Sequence, residues 1–200
     1  MSGKTSWAGD RPVPVTLAGD HVRLEPLTQA HAERLKDAVG DLHQLWYTAV
    51  PAPEALEAEI DRRLGLQAAG SMVPFATCLP DGRPVGMTTY MRIDAANKRV
   101  EIGSTWISRD VQRGPLNTEA KYLLLRHAFE ALDCIAVEFR THRLNSQSRR
   151  AIERLGAQLD GILRSHQVMP NGTLRDTAVY SITAHEWPAV KAGLEGKLSQ

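Results

Sequence analysis

Three groups of residues in this chain have types and spacings that could do chemistry. The first is Val111-Gln112-Arg113-Gly114-Pro115-Leu116-Asn117-Thr118-Glu119-Ala120, a polar turn with one glycine that leads into a strongly periodic helix. Backbone N–H groups at a helix N-terminus lack intrahelical partners, and the helix dipole favours negative charge there. Such a turn can hold a phosphate. A helix start with proline near its first position and no ligand is the competing reading. The second group is the strand Val100-Glu101-Ile102-Gly103-Ser104-Thr105-Trp106. Strict alternation puts Glu101, Gly103 and Thr105 on one face, and Val100, Ile102, Ser104 and Trp106 on the other. A carboxyl group in an apolar sheet is harder to ionise, which suits a general base. The same residue also reads as an edge-strand carboxylate paired with Arg99 or Lys98. The third group, Asn145-Ser146-Gln147-Ser148, lies between a strand and a helix, where Asn145 or Ser146 could simply cap the helix.

The other reactive residue types point nowhere definite. The seven histidines (His21, His31, His43, His127, His142, His166, His185) show no metal spacing such as HExxH, so no metal is expected. Cys78 and Cys134 sit inside apolar segments and read as small core residues.

The elements that must position these groups follow from periodicity and turn residues. His21–Leu27 alternates as a strand, and Thr28 caps a helix to about Val39. Asp41–Thr48 is a short helical or turn segment, and Pro53 opens a helix ending near Gly70. Strands are predicted over 74–79, 84–93 and 99–107, then a helix over 117–132 and a strand over 135–141. A helix over 146–155 ends at Gly156, two strands (158–169 and 173–183) flank the turn 170–172, and a last helix covers 186–198. This order predicts an α/β fold: a mixed, mostly antiparallel central sheet flanked by helices on both faces. Its parallel step is the crossover through the 117–132 helix. Residues 1–14 read as a loose N-terminal arm and 15–200 as a single domain.

Composition narrows the function classes. At 200 residues the chain can build one full core, and its apolar (42%) and charged (24%) fractions are ordinary for a globular domain. A net charge of +1 argues against bulk attraction to nucleic acid or membrane. No apolar run approaches the roughly 20 residues of a membrane span, and Met1–Pro14 shows no secretory h-region, so a cytoplasmic protein is expected.

The ordered set has a wider meaning. The loop at Gln112–Ala120, the strand after it, Asn145-x-x-Ser148 and Leu155-Gly156-Ala157 together resemble the GNAT N-acetyltransferase superfamily. Glu101-Ile102-Gly103, Thr118-Glu119-Ala120 and the ending Arg175-Asp176-Thr177 … Tyr180-Ser181-Ile182 resemble its branch of ribosomal-protein N-terminal acetyltransferases. The resemblance covers about residues 15–195. It implies acetyl-CoA as cofactor, held by Trp106, Ile107, Gln112, Arg113, Gly114, Leu116, Asn117, Thr118, Asn145, Ser148 and Arg149. Within that set Asn145 would bond the pantetheine arm. Ser148 would protonate the leaving thiolate, and Glu101 would take a proton from the amine.

One departure stands out. Pro115 falls where the family's Q/R-x-x-G-x-G/A loop has its first glycine, and Asn117 where it has its second small residue. Proline lacks an N–H, so Arg113, Asn117 or Thr118 would have to supply the donor. Acetyl transfer in the family is direct, so no Ser–His–Asp or Cys–His set is required. Trp46, Tyr47, Tyr90, Arg92, Arg164 and His166 are candidates for the acceptor side, with Arg164 and Arg175 alternatively solvated hairpin residues. The acceptor reads as a primary amine, a protein N-terminus or a small molecule, and the final strands could pair two copies into a homodimer. A CoA-binding protein without catalysis is the non-enzymatic rival.

Overall fold

The alternating segments fold into one eight-stranded sheet. The structure is a computed structural model that describes residues 7–8, 11–48 and 50–199. A short ladder of β1 (Trp7–Ala8) and β2 (Arg11–Pro12) lies outside the sheet; the rest of the stretch expected to be a loose arm, up to Asp10, lies outside the described residues. The sheet contains β3 (Leu17–Ala18), β4 (Arg23–Pro26), β5 (Met72–Cys78), β6 (Pro84–Asp94), β7 (Arg99–Ile107), β8 (Ala136–His142), β9 (Gln158–Val168) and β10 (Leu174–Thr183). Their spatial order is β3-β4-β5-β6-β7-β8-β10-β9. Every neighbouring pair is antiparallel except β7 and β8, which the crossover joins in parallel. The crossover helix is α3 (Leu116–Arg126), continued by a π-helical turn His127–Ala131. The mixed, mostly antiparallel sheet with helices on both faces is therefore as the sequence predicted.

Two apolar cores lie on opposite faces of the sheet. On one face α3 and α5 (Trp187–Leu198) cover Tyr90, Val100, Ile102, Val137 and Tyr180. On the other, α1 (Ala32–Val39) and α2 (Leu56–Ala68) cover Ala76, Met87 and Trp106. The buried residues of α1, Ala32, Leu35 and Val39, recur at helical spacing and form its sheet-facing stripe. No helix among the described residues is long and apolar enough to cross a membrane.

A β-bulge overturns the simple alternation of β7. Opposite β6, Met87 pairs with Trp106 but Thr89 pairs with Gly103, and Ser104 takes up the extra length with φ +48°. Beyond the bulge the faces exchange. Trp106 leaves the side of Val100 and Ile102 and joins the core under α1 and α2. Thr105 turns to the α3 side instead, where its hydroxyl meets Lys121 Nζ at 2.7 Å.

The parallel pairing of β7 with β8 is short. It runs Arg99↔Ala136, Val100↔Val137, Glu101↔Glu138 and stops there, although β7 continues to Ile107 and β8 to His142. The sheet is split from Glu101 onward.

The head of α3 is fixed by a buried carboxylate. Glu119 accepts the backbone N–H groups of Asp20 (2.9 Å), His21 (2.6 Å) and Val22 (2.8 Å), so the turn between β3 and β4 wraps its side chain. Gly19 completes the wrap, since a Cβ there would overlap the Glu119 carboxylate. Removing the carboxylate leaves three amide donors without their acceptor. Glu119→Ala is expected to lower the unfolding free energy by about 3 kcal/mol, read as a fall in the urea midpoint. An unchanged midpoint would show that the clamp contributes nothing.

Candidate active site

β7 and β8 each run, at their C-terminal ends, into a helix head on the same side of the split. β7 leads through a turn at Arg109–Val111 to α3, and β8 leads to α4 (Ser146–Arg154). Crevices at the carboxyl ends of parallel strands are where open α/β sheets bind ligands.

The turn before α3 is shaped by its own hydrogen bonds. Gln112 Nε2 donates to the carbonyl of Ile107 at 3.0 Å, which ties its side chain back to β7. The left-handed residue is Arg113, with φ +65°, and not the neighbouring Gly114. Pro115 occupies the N-cap, and the first intrahelical bond is Glu119 N–H to the Pro115 carbonyl at 2.9 Å. Among the described residues the amides of Leu116, Asn117 and Thr118 have no acceptor. The proline's missing N–H thus falls just outside the exposed donor set rather than within it. The Leu116 side chain is buried in the core, so this residue offers only its backbone, while Asn117 and Thr118 are half-buried at the helix head.

At α4 the capping reading of Asn145 is realised, because its Oδ1 accepts the Ser148 N–H at 3.0 Å. Ser148 is half-buried, and its hydroxyl makes no hydrogen bond among the described residues. Arg149 Nε donates to the Tyr180 hydroxyl at 2.8 Å. The Trp106 indole is core, packed on the α1–α2 face, and the Ile107 side chain packs against the opposite core, on the α3 side. Of the expected cofactor set, then, the side chains of Trp106, Ile107, Gln112, Leu116, Asn145 and Arg149 are engaged in the fold. Arg113, Gly114, Asn117, Thr118 and Ser148 remain available at the helix heads.

Glu101 lies at the closed end of the split, and it is not on an edge: β7 is an interior strand. It is 5% exposed, and its Oε2 lies 3.0 Å from Arg92 Nε and 3.5 Å from Arg140 Nε without hydrogen-bond angles to either. The expected partners are elsewhere: Arg99 pairs with Glu138, and Lys98 with Asp133 at 2.5 Å. Gly103 makes room for the carboxylate, since a Cβ there would sit 2.9 Å from Glu101 Oε1. Burial raises the Glu101 pKa above the ordinary carboxylate value, against the pull of Arg92 and Arg140.

The same face of the sheet carries the acceptor-side candidates. Trp46 is half-exposed and meets the His142 ring edge-on at 5.3 Å and the Tyr47 ring edge-on at 5.5 Å. His166 Nδ1 and Arg175 Nε both lie 3.0 Å from the Thr177 hydroxyl. Arg164 is exposed and bonded to Asp176 at 2.8 Å, as a solvated hairpin residue would be, whereas Arg175 is half-buried. Tyr90 does not belong here. It is wholly buried on the α3 side, where its hydroxyl donates to the Leu124 carbonyl at 2.5 Å.

A family profile described as an acetyltransferase (GNAT) domain matches residues 21–158. The chain belongs to the GNAT acetyltransferase family. It is 32% identical over 116 residues to YdaF of Bacillus subtilis (strain 168), a candidate ribosomal N-acetyltransferase; the match covers 58% of this chain and 62% of that protein. A candidate acetyltransferase from T. thermophilus has a crystal structure similar at TM-score 0.83, with 37% identity over 96% of this chain and 99% of that one. Mycobacterium smegmatis RimJ, solved in complex with CoA-disulfide, shares the fold at TM-score 0.79 and 24% identity, over 92% of this chain and 95% of that one.

Sequence reasoning missed two residues near this candidate site, one beside Glu101 and one beneath the bulge on the α3 side. Arg140 reads as one polar position of an alternating strand, and only the sheet order brings it to Glu101. Lys121 is buried in α3, where Nζ bonds the hydroxyls of Thr88 (3.1 Å) and Thr105 (2.7 Å). A lysine before the apolar run Tyr122–Leu125 was its available signal. Burial pulls its pKa down from 10.5 to about 7. Below about 7 both folded and unfolded chains hold this proton, so the cost of the buried charge is whole. As pH rises toward 10.5 the unfolded chain binds more protons than the folded one, and the cost is relieved. Stability of the wild type is therefore expected to gain on that of Lys121→Met above pH 7, by at most about 1.4 kcal/mol per pH unit. Urea midpoints of both proteins across that range check this, and parallel curves would refute it.

Proposed function

We propose that this GNAT protein transfers acetyl from acetyl-CoA directly to a primary amine, with a protein N-terminal α-amine as the acceptor. The observation that carries the reading is the split between β7 and β8. It leaves backbone groups in the middle of a sheet without ladder partners among the described residues, between two helix heads and above a buried carboxylate. Buried backbone donors and acceptors are rarely left unpaired. An extended chain with amide groups, such as the pantetheine arm of CoA, can pair with them. The free amides of Leu116–Thr118 and the Arg113 side chain then suit its pyrophosphate. The CoA-disulfide complex of the similarly folded RimJ and the name of YdaF support the cofactor and the acceptor respectively.

The chemistry asks for few groups. Glu101 takes a proton from the ammonium or the attacking amine. The amine nitrogen bonds to the thioester carbonyl carbon, the C–S bond breaks, and the thiolate leaves with a proton from Ser148. Glu101 then releases its proton to solvent and the Ser148 hydroxyl regains one from it, so that thiol and amide are the products. Positioning and backbone donors supply the rest. The exposed leucine, isoleucine and valine residues of the outermost hairpin (Leu159, Ile162, Leu163, Val168, Leu174) support pairing of two copies there.

Titration calorimetry with CoA tests the cofactor: binding with heat is expected, and no heat at about millimolar CoA, well above the range of typical cofactor affinities, would sink the reading. For the base, Glu101→Gln is expected to lower kcat about 100-fold or more while CoA affinity stays within about twofold. The acidic limb of the wild-type kcat profile should lie above the ordinary carboxylate value of 4.5 and vanish in the variant. Unaltered turnover removes Glu101 from the mechanism.

A further inference from the structure

We infer that the acceptor carries a carboxylate beside its amine, held by Arg175 together with Arg92 and Arg140. This inference rests on the acetyl-transfer reading and names its substrate class.

Charge is out of balance at the closed end of the split. Arg92 from β6, Arg99 from β7, Arg140 from β8 and Arg175 from β10 converge on the carboxylates Glu101 and Glu138. Arg99 and Arg140 share Glu138, and Arg92 and Arg140 share Glu101. Arg175 has no carboxylate within ion-pair distance among the described residues; its Nε donates only to the Thr177 hydroxyl. The guanidinium groups outnumber the carboxylates, and Arg175 is half-buried, so its charge is partly stripped of water. A partly desolvated guanidinium without an anion is costly, and an incoming anion relieves that cost.

The same arginines are close enough to act together. Three of them, Arg140, Arg92 and Arg175, bear on the His166 ring, and Arg92 and Arg140 bear on Glu101. Arg92 is held there by its backbone: it has φ +47° in the irregular stretch of β6 between Met91 and Asp94. A left-handed non-glycine residue is uncommon and is found where the surroundings dictate it. Its side chain remains 48% exposed, so it reaches Glu101 with Nε while about half of it stays open to solvent.

The chemistry of the ligand follows. The amine must approach Glu101, which attracts an ammonium. A negative group attached near that amine meets the surplus guanidinium charge a few bonds away. A planar carboxylate matches the guanidinium fork. Polyamines and aminoglycosides place further positive charge in the same spot and are repelled. Two sources share this chemistry, a peptide beginning with Asp or Glu and a free amino acid.

The test uses the full chain with acetyl-CoA and reads thiol release. Acceptors are one peptide with Asp, Asn or Lys as its first residue, free aspartate, and spermidine. The Asp peptide or free aspartate is expected to show kcat/KM about tenfold or more above the Asn and Lys peptides and spermidine, and which of the two leads identifies the source. Arg175→Gln should raise KM for the acidic acceptor about tenfold more than for the Asn peptide, with a smaller change in kcat. Arg92→Gln, a change at an exposed side chain, should shift KM the same way, and melting curves report whether each variant is folded. Equal or better use of the Lys peptide or spermidine overturns the inference and leaves acetyl transfer standing. The same follows if both folded variants lose every acceptor alike. No thiol release with any amine as acceptor overturns the acetyl-transfer reading with it.

Discussion

The constraint on which the rest of this structure depends is the early end of the β7–β8 pairing. A parallel pair in the middle of a sheet normally continues until a strand ends. Here it stops at Glu101↔Glu138 while both strands go on. The bulge at Ser104 is the local device: it inserts length into β7 opposite β6, increases the twist, and sends the strand's far half away from β8. The open wedge separates the heads of α3 and α4, and the carboxyl end of each parting strand delivers one of them.

A split sheet needs reinforcement, and it is found on the α3 side. Glu119 ties the first turn of α3 to the turn between β3 and β4, at the far edge of the sheet. Lys121, about half a turn further along, bonds Thr88 and Thr105, one from each strand at the bulge. Together they hold the helix head against β6 and β7 by polar contacts, where apolar packing alone would tolerate sliding. Lysine is a costly way to do this, since its charge has no carboxylate partner among the described residues and burial lowers its pKa to about 7. Its three donors nevertheless let one side chain bond hydroxyls on two strands at once.

Much of this was legible in the sequence where one local rule decides. The 117–132 helix and the strands flanking it are strongly periodic, so the crossover and its parallel step follow from connection rules. The capping role of Asn145 follows from residue type and place. What escaped depended on two segments at once. The bulge falls on Ser104, a non-glycine residue at positive φ inside an otherwise alternating run, and nothing local marks it. Its consequence was the wrong face for Trp106. The partners of Glu101 were taken from sequence neighbours, Lys98 and Arg99, whereas strand order supplies Arg92 and Arg140. Strands β1, β2 and β3 are two residues each, too short for any periodicity to show.

The environment of Glu101 illustrates why such a residue resists a reading from one rule. Burial alone would drive a carboxyl group far toward its neutral form, and a neutral carboxylic acid takes no proton. Ion pairing alone would hold the pKa below the ordinary value, and a weakly basic carboxylate takes a proton poorly. Here the two act on the same oxygen: burial prevails, and Arg92 and Arg140 limit how far it goes. The arginines also lack hydrogen-bond angles to Oε2, so its lone pairs are not consumed. A charge near but not bonded offsets part of the cost of burying the ionised carboxylate while leaving its Oε2 without a hydrogen-bond partner among the described residues. Geometry, more than the identity of the carboxylate, is what separates a base from one more ion pair.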